Sequence, residues 1–144
     1  MNAPSTSWTT TKTMPSHARS TRAACIVAPR TLAIVDTPLA ELGTNDLLIA
    51  VEGSGVCGSH HAVWQGQPWF TYPLPAGAPG HEGWGEVIAT GDTCRQLLGR
   101  RVAYLSEQAF ALLDIASADQ VVPLPDHPSV GLFPGEAVGC AINI

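Results

Sequence analysis

From Arg22 onward, apolar residues fall in short runs separated by turn-forming residues. Ala23–Ala28 and Leu32–Val35 flank Pro29-Arg30, and the spacing predicts a hairpin. Asp46–Val51 (DLLIAV) reads as a buried strand, and Val87–Ala89, Arg101–Leu105, Ala109–Leu113 and Gln120–Leu124 continue the series. Strand-like runs with no helical segment between most of them predict a mainly β, antiparallel barrel or sandwich. Two stretches read as short helices. One is Ser59–Gln65, ended by Gly66 and Pro68; the other is Gly135–Asn143. No internal repeat is evident.

The first 21 residues differ from the rest. They are rich in Ser and Thr, basic, and without hydrophobic period. That composition predicts a disordered tail, with a transit peptide as the alternative. The folded domain is expected over 22–144. Residues 66–80 (GQPWFTYPLPAGAPG) hold four prolines and three glycines, which disfavours regular structure. A loop folded over a cleft would give Trp69, Phe70 and Tyr72 something to contact.

Composition narrows the function classes. The chain of 144 residues is 45% apolar and 13% charged, with net charge −5. Residues 1–30 carry four bases and no acid, whereas the rest carries three bases and twelve acids. Such a body neutralises few phosphates, so no nucleic-acid partner is expected. No apolar run reaches the ~18–20 residues of a membrane-spanning helix, so no membrane partner is expected. The four cysteines, Cys25, Cys57, Cys94 and Cys140, follow no scaffold spacing. With no secretory hydrophobic segment, a reduced cytoplasmic location is the default expectation.

Gly53-Ser54-Gly55-Val56-Cys57-Gly58 matches G-x-G-x-x-G after a predicted strand. A dinucleotide site needs a full helix and a second parallel strand in a unit of ~30 residues. Gly66 and Pro68 interrupt too early, and no suitable acid-bearing strand follows. A better candidate joins Cys57, His81 and Glu136. Cys57 stands at a strand-to-helix junction, where backbone amides favour the thiolate. His81-Glu82 lies between Gly80 and Gly83, so a turn can present the imidazole. Sulfur, imidazole and carboxylate together suit zinc, with a fourth position for water or substrate. Spacing alone leaves the plainer readings open: Cys57 as a small core residue and His81 as a structural donor.

The stretches GVCGSHHAVWQG (55–66) and GHEGWGEVIATGDTC (80–94) resemble the medium-chain, zinc-dependent alcohol dehydrogenase family. Gly80-His81-Glu82, Gly85, Gly91 and Cys94 match the family's G-H-E signature. RVAYL (101–105), DQVVPLP (119–125) and GEAVGCAIN (135–143) resemble family segments in the same order. The resemblance implies the family's catalytic domain, a GroES-like, partly open β-barrel with a few short helices. It implies catalytic zinc ligands at Cys57, His81 and Glu136. It gives Glu82 the place of the acid behind the metal, able to swing in as a ligand, and Ser59 that of the hydroxyl accepting the alcohol proton. Cys140 lies one helical turn from Glu136 and rivals it by periodicity; the family register favours Glu136. Trp64, Trp69 and Phe70 are candidate walls of an apolar substrate cleft, with ordinary packing at the barrel end as the alternative.

The implied function is hydride transfer between a small alcohol or carbonyl, polarised by Zn2+, and NAD(P). Three departures qualify it. The family often has Asp where His60 stands, and a relay His where Ala62 stands. His60 and His61 are possible substitutes that read better as surface histidines. No four-cysteine structural-zinc lobe lies between Gly91 and Glu136. Family members continue into a nucleotide-binding domain, whereas the sequence given stops at Ile144. It therefore reads as a truncated enzyme, inactive alone and without a cofactor-binding site of its own. The alternative is a stand-alone GroES-like interaction module that partners a separate nucleotide-binding polypeptide; a third option is a non-functional remnant.

Overall fold

Seven strands and two α-helices organise a computed structural model that describes residues 19–125 and 134–142. The strands are β1 (Ser20–Ala28), β2 (Thr31–Pro38), β3 (Asp46–Ser54), β4 (Gly83–Thr90), β5 (Arg101–Tyr104), β6 (Leu113–Ser117) and β7 (Val121–Pro123). The helices are α1 (His60–Gln65) and α2 (Gly135–Ile142). Most of the expected tail lies outside the described residues, although Ser20 and Thr21 already belong to β1.

β1 and β2 form the expected hairpin. Arg30 takes the left-handed conformation (φ 58°) at its turn, and its backbone N–H donates to the Trp64 carbonyl at 2.9 Å. The other strands form one sheet in the order β6-β3-β4-β5-β7, with every pairing antiparallel. The mainly β architecture of two open sheets agrees with the partly open barrel that the sequence resemblance implies. Among the described residues no helix is long and apolar enough to cross a membrane.

β3 is an inner strand, flanked by β6 and β4, which explains its run of apolar residues. Leu47, Leu48 and Ile49 are all buried, so both faces of the strand are covered. Leu47 and Ile49 pack with Val87, Val102, Tyr104, Ala109, Ala116 and Cys94 in the principal core. The expected strand at Ala109–Leu113 is displaced: the strand is Leu113–Ser117, and Ala109 and Phe110 lie before it. Asp114 is the reason the pattern misleads, because an acid reads as a strand end. Here its buried carboxylate accepts from the Ser106 hydroxyl at 2.5 Å and the Ile115 amide at 2.8 Å. Those bonds let a buried carboxyl sit within β6.

The Pro- and Gly-rich stretch after α1 is stitched to β1 by backbone bonds from Leu74 to Ile26 and from Gly77 to Ala24. The Tyr72 hydroxyl donates to the Val63 carbonyl. Gly66 closes α1 in the left-handed region (φ 80°), the common helix C-terminal device.

Candidate metal centre

β3 ends at Ser54, and the chain then turns through Cys57 into α1. His60 and His61 donate their amides to the carbonyls of Cys57 and Gly58, forming the turn that starts the helix. Ser59 is the N-cap residue, yet its side chain makes no capping bond. Its hydroxyl, and then its amide, hold the Cys57 thiol below the ordinary range, with a smaller effect from His81; burial and the Glu82 charge oppose them. Ser59 is therefore placed at the sulfur.

His81 and Glu82 arrive from the other side, just before β4. Gly80 fixes their entry, since its amide donates to the Gly77 carbonyl and its carbonyl accepts from the Ala109 amide. One donor atom each from Cys57, His81 and Glu82 come together, all within 4.8 Å of one another. Glu82 is buried although it is a carboxylate. Gly55 makes that possible, because a Cβ there would collide with the Glu82 carboxylate. Gly53 likewise leaves room for the Trp84 indole. These glycines of the G-x-G-x-x-G match thus serve close packing at the end of an antiparallel strand, where six-residue α1 offers no dinucleotide cradle.

Glu136 stands outside the 4.8 Å group, on α2. Its charge nevertheless reaches His81. Burial lowers the His81 imidazolium, but hydrogen bonding to Cys57 and to the Pro79 carbonyl, the Cys57 charge and the Glu136 charge together raise it overall. The Cys140 thiol donates to Glu136 Oε1 at 3.0 Å. That bond pushes the Cys140 thiol up and keeps it protonated, which disfavours it as a ligand. Glu136 Oε2 is buried without a hydrogen-bond partner.

A carboxylate oxygen hidden from water with no donor is suited to a cation. Thiolate, imidazole and carboxylate together are a donor set that zinc accepts. Zinc holds such donors at about 2.0–2.3 Å, so small side-chain rotations can close the 4.8 Å group around one ion. The residues present fit the metal.

His60 is not the surface histidine its sequence position suggested. It is buried, with its ring edge-on to those of His81 and Phe110, the centroids 4.7 and 5.4 Å apart. Burial, reinforced by the His81 charge, lowers its imidazolium and favours the neutral ring. Its Nδ1 accepts from the Cys57 backbone N–H at 3.2 Å, and its Nε2 lies 3.0 Å from His81 Nδ1. The contact with Phe110, which only the tertiary fold supplies, gave no local signal. His61 is exposed.

The aromatic candidates are more scattered. Trp69 is 70% exposed and Trp64 37%. Phe70 is half-buried, with its ring 6.1 Å from that of Trp69. A cavity of about 440 Å³ lies instead beside α2, lined by Tyr104, Leu105, Val121, Val122, Glu136 and Cys140 among others.

Residues 43–126 match the alcohol dehydrogenase GroES-like domain. The L-threonine 3-dehydrogenase of Ruegeria pomeroyi is 32% identical over 72 residues, 49% of this chain and 21% of that protein. A zinc-type alcohol dehydrogenase-like protein of Haemophilus influenzae is 38% identical over 71 residues, 49% of this chain and 20% of that one. The matched part of the chain thus spans about a fifth of the length of these relatives. Galactitol-1-phosphate dehydrogenase from Escherichia coli aligns with TM-score 0.63 and 17% identity, covering 73% of this chain and 38% of that one. A short chain alcohol dehydrogenase from E. coli CFT073, complexed with NADH, aligns with TM-score 0.63 and 18% identity, covering 75% and 39%. At these identities the structural likeness is one of fold. The family match extends over more than half of the sequence and takes in Cys57, His81 and Glu82, and on that ground the chain belongs to the alcohol dehydrogenase GroES-like domain family.

Proposed function

We propose that Cys57, His81 and Glu82 hold a zinc ion, that Glu136 completes the set from α2, and that the site serves alcohol–carbonyl oxidoreduction with NAD(P). The convergence of three donors from two separate stretches of chain carries the reading. When bound, zinc supplies Lewis acidity toward an alcohol or carbonyl oxygen. The chain's own residues do the rest. Ser59 and His81 favour the Cys57 thiolate that a metal needs. Glu82, kept in place by the space at Gly55, adds a carboxylate that can ligate or retreat. The Ser59 hydroxyl, free of capping duty, is positioned to accept the proton of a substrate alcohol.

Trp64, Trp69 and Phe70 form the candidate apolar wall, and the exposure of Trp69 leaves its ring available to a substrate. NAD(P) requires a nucleotide-holding unit. The exposed apolar side chains of Val138 and Ile142 on α2 offer it a docking face. Hydride transfer is thus proposed for this domain acting together with a unit that holds NAD(P).

Metal analysis tests the reading. The purified chain is expected to carry about one zinc, and Cys57→Ser to lose it while remaining folded. A folded wild-type chain that takes up no zinc from a buffered excess overturns the proposal.

A further inference from the structure

The helix that carries Glu136 has little else to hold it in place. The eight residues of α2, GEAVGCAI, fall below the ~12–15 that an isolated helix needs to persist in water. Gly135, Val138, Gly139 and Ile142 all favour helix less than alanine does. Tertiary packing adds little in return. No residue of α2 is buried, although the helix rests against β4 and β5. Gly139 and Cys140 line the cavity of about 440 Å³ that opens beside it, together with Leu105, Val121 and Val122 from the body.

Glu136 is the exception. Its Oε2 is withdrawn from water with no donor, so a cation at the centre would supply the partner this oxygen lacks. That attachment would act on an element with few buried contacts, the kind that opens and closes at low cost. A ligand that favours one arrangement of such an element shifts it to that arrangement. Val138 and Ile142 are exposed on the same helix, so whatever fixes α2 also fixes the face offered to the nucleotide-holding unit.

We propose, resting on the zinc reading above, that α2 is a metal-gated strap: an ion held through Glu136 fixes α2 against β4 and β5, and metal loading thereby sets the presentation of the Val138 and Ile142 docking face. The coupling is reciprocal, so whatever orders α2 tightens the hold on zinc.

Gly139 allows a test that touches neither the metal donors nor the body. A Cβ added there meets nothing within 4 Å, so Gly139→Ala acts through helix preference alone. That preference is worth up to about fivefold in the affinity of a ligand that requires the helix. The full chain is titrated with zinc alone, in competition with a chromophoric chelator. Gly139→Ala is expected to bind zinc about two- to fivefold more tightly than wild type. The same substitution in a Glu136→Gln background is expected to give no gain over Glu136→Gln itself. Hydrogen exchange supplies a second readout. Saturating zinc is expected to slow amide exchange in α2 at least about tenfold in wild type, and not in Glu136→Gln. Equal zinc affinity in wild type and Gly139→Ala overturns this inference and leaves the zinc reading intact. So does unchanged exchange in α2 of a wild-type chain that metal analysis shows to hold zinc. A folded wild-type chain that binds no zinc overturns both.

Discussion

Gly55→Ala is expected to displace Glu82 from the metal centre while leaving Cys57 and His81 in place. An alanine Cβ would overlap the Glu82 carboxylate oxygen, lie 2.8 Å from its Cδ and 3.0 Å from its Cβ. Real Cβ contacts do not approach so closely, and the cheapest relief is rotation of the Glu82 side chain out of its buried position. Losing one carboxylate from or behind a zinc site costs about 10–100-fold in metal affinity, or about 1.4–2.8 kcal/mol. Overpacking adds a stability cost of about 1–3 kcal/mol. The two effects separate in a double-mutant cycle. Glu82→Ala removes the oxygen and Cδ contacts and leaves only the one at Cβ. Gly55→Ala should therefore weaken zinc binding about as much as Glu82→Ala, and the double variant little further. Chelator competition measures each affinity, with circular dichroism confirming that the variants fold. Wild-type zinc affinity in Gly55→Ala, or full additivity in the double variant, would refute the view that Gly55 exists to seat Glu82.

Two further outcomes follow from the core. Ile49 is fully buried on the inner strand β3, so Ile49→Ala should lower the unfolding free energy by about 2–5 kcal/mol in urea titration. Ile34→Ala, at a site 63% exposed, should change it by no more than about 0.5 kcal/mol. Burial raises the Asp114 carboxyl, against the lowering effects of Ser106, the Ile115 amide and Tyr104. The folded state then holds that proton more tightly than the unfolded state. Stability from this group is present below the ordinary carboxylate range and is lost as pH rises through the raised value. Thermal melts of the metal-free protein should show Asp114→Asn with a smaller fall in melting temperature than wild type from pH ~4 upward. A steeper fall in the variant would contradict that sign.

Local chemistry already settles much of this protein along the chain. Pro29-Arg30 between two apolar runs makes a hairpin, Ser59 and Gly66 bracket a helix, and DLLIAV makes a strand covered on both faces. Each depends on turn chemistry or burial pattern acting over a few residues. Cys57 and His81 were legible as partners because their flanking glycines and family motif match residue by residue. Other features required the chain to come together in space. The continuous apolar run after Gln108 carries no periodicity to set its register, so the strand could be placed only once Asp114 found Ser106 and the Ile115 amide. His60 reads as an exposed helix residue until Phe110 and His81, distant along the chain, cover it. Which carboxylate stands nearest the thiol and imidazole was likewise a tertiary outcome. Glu82 joins them within 4.8 Å because Gly55 has no side chain, whereas Glu136 approaches from a separate helix whose position no local pattern encodes.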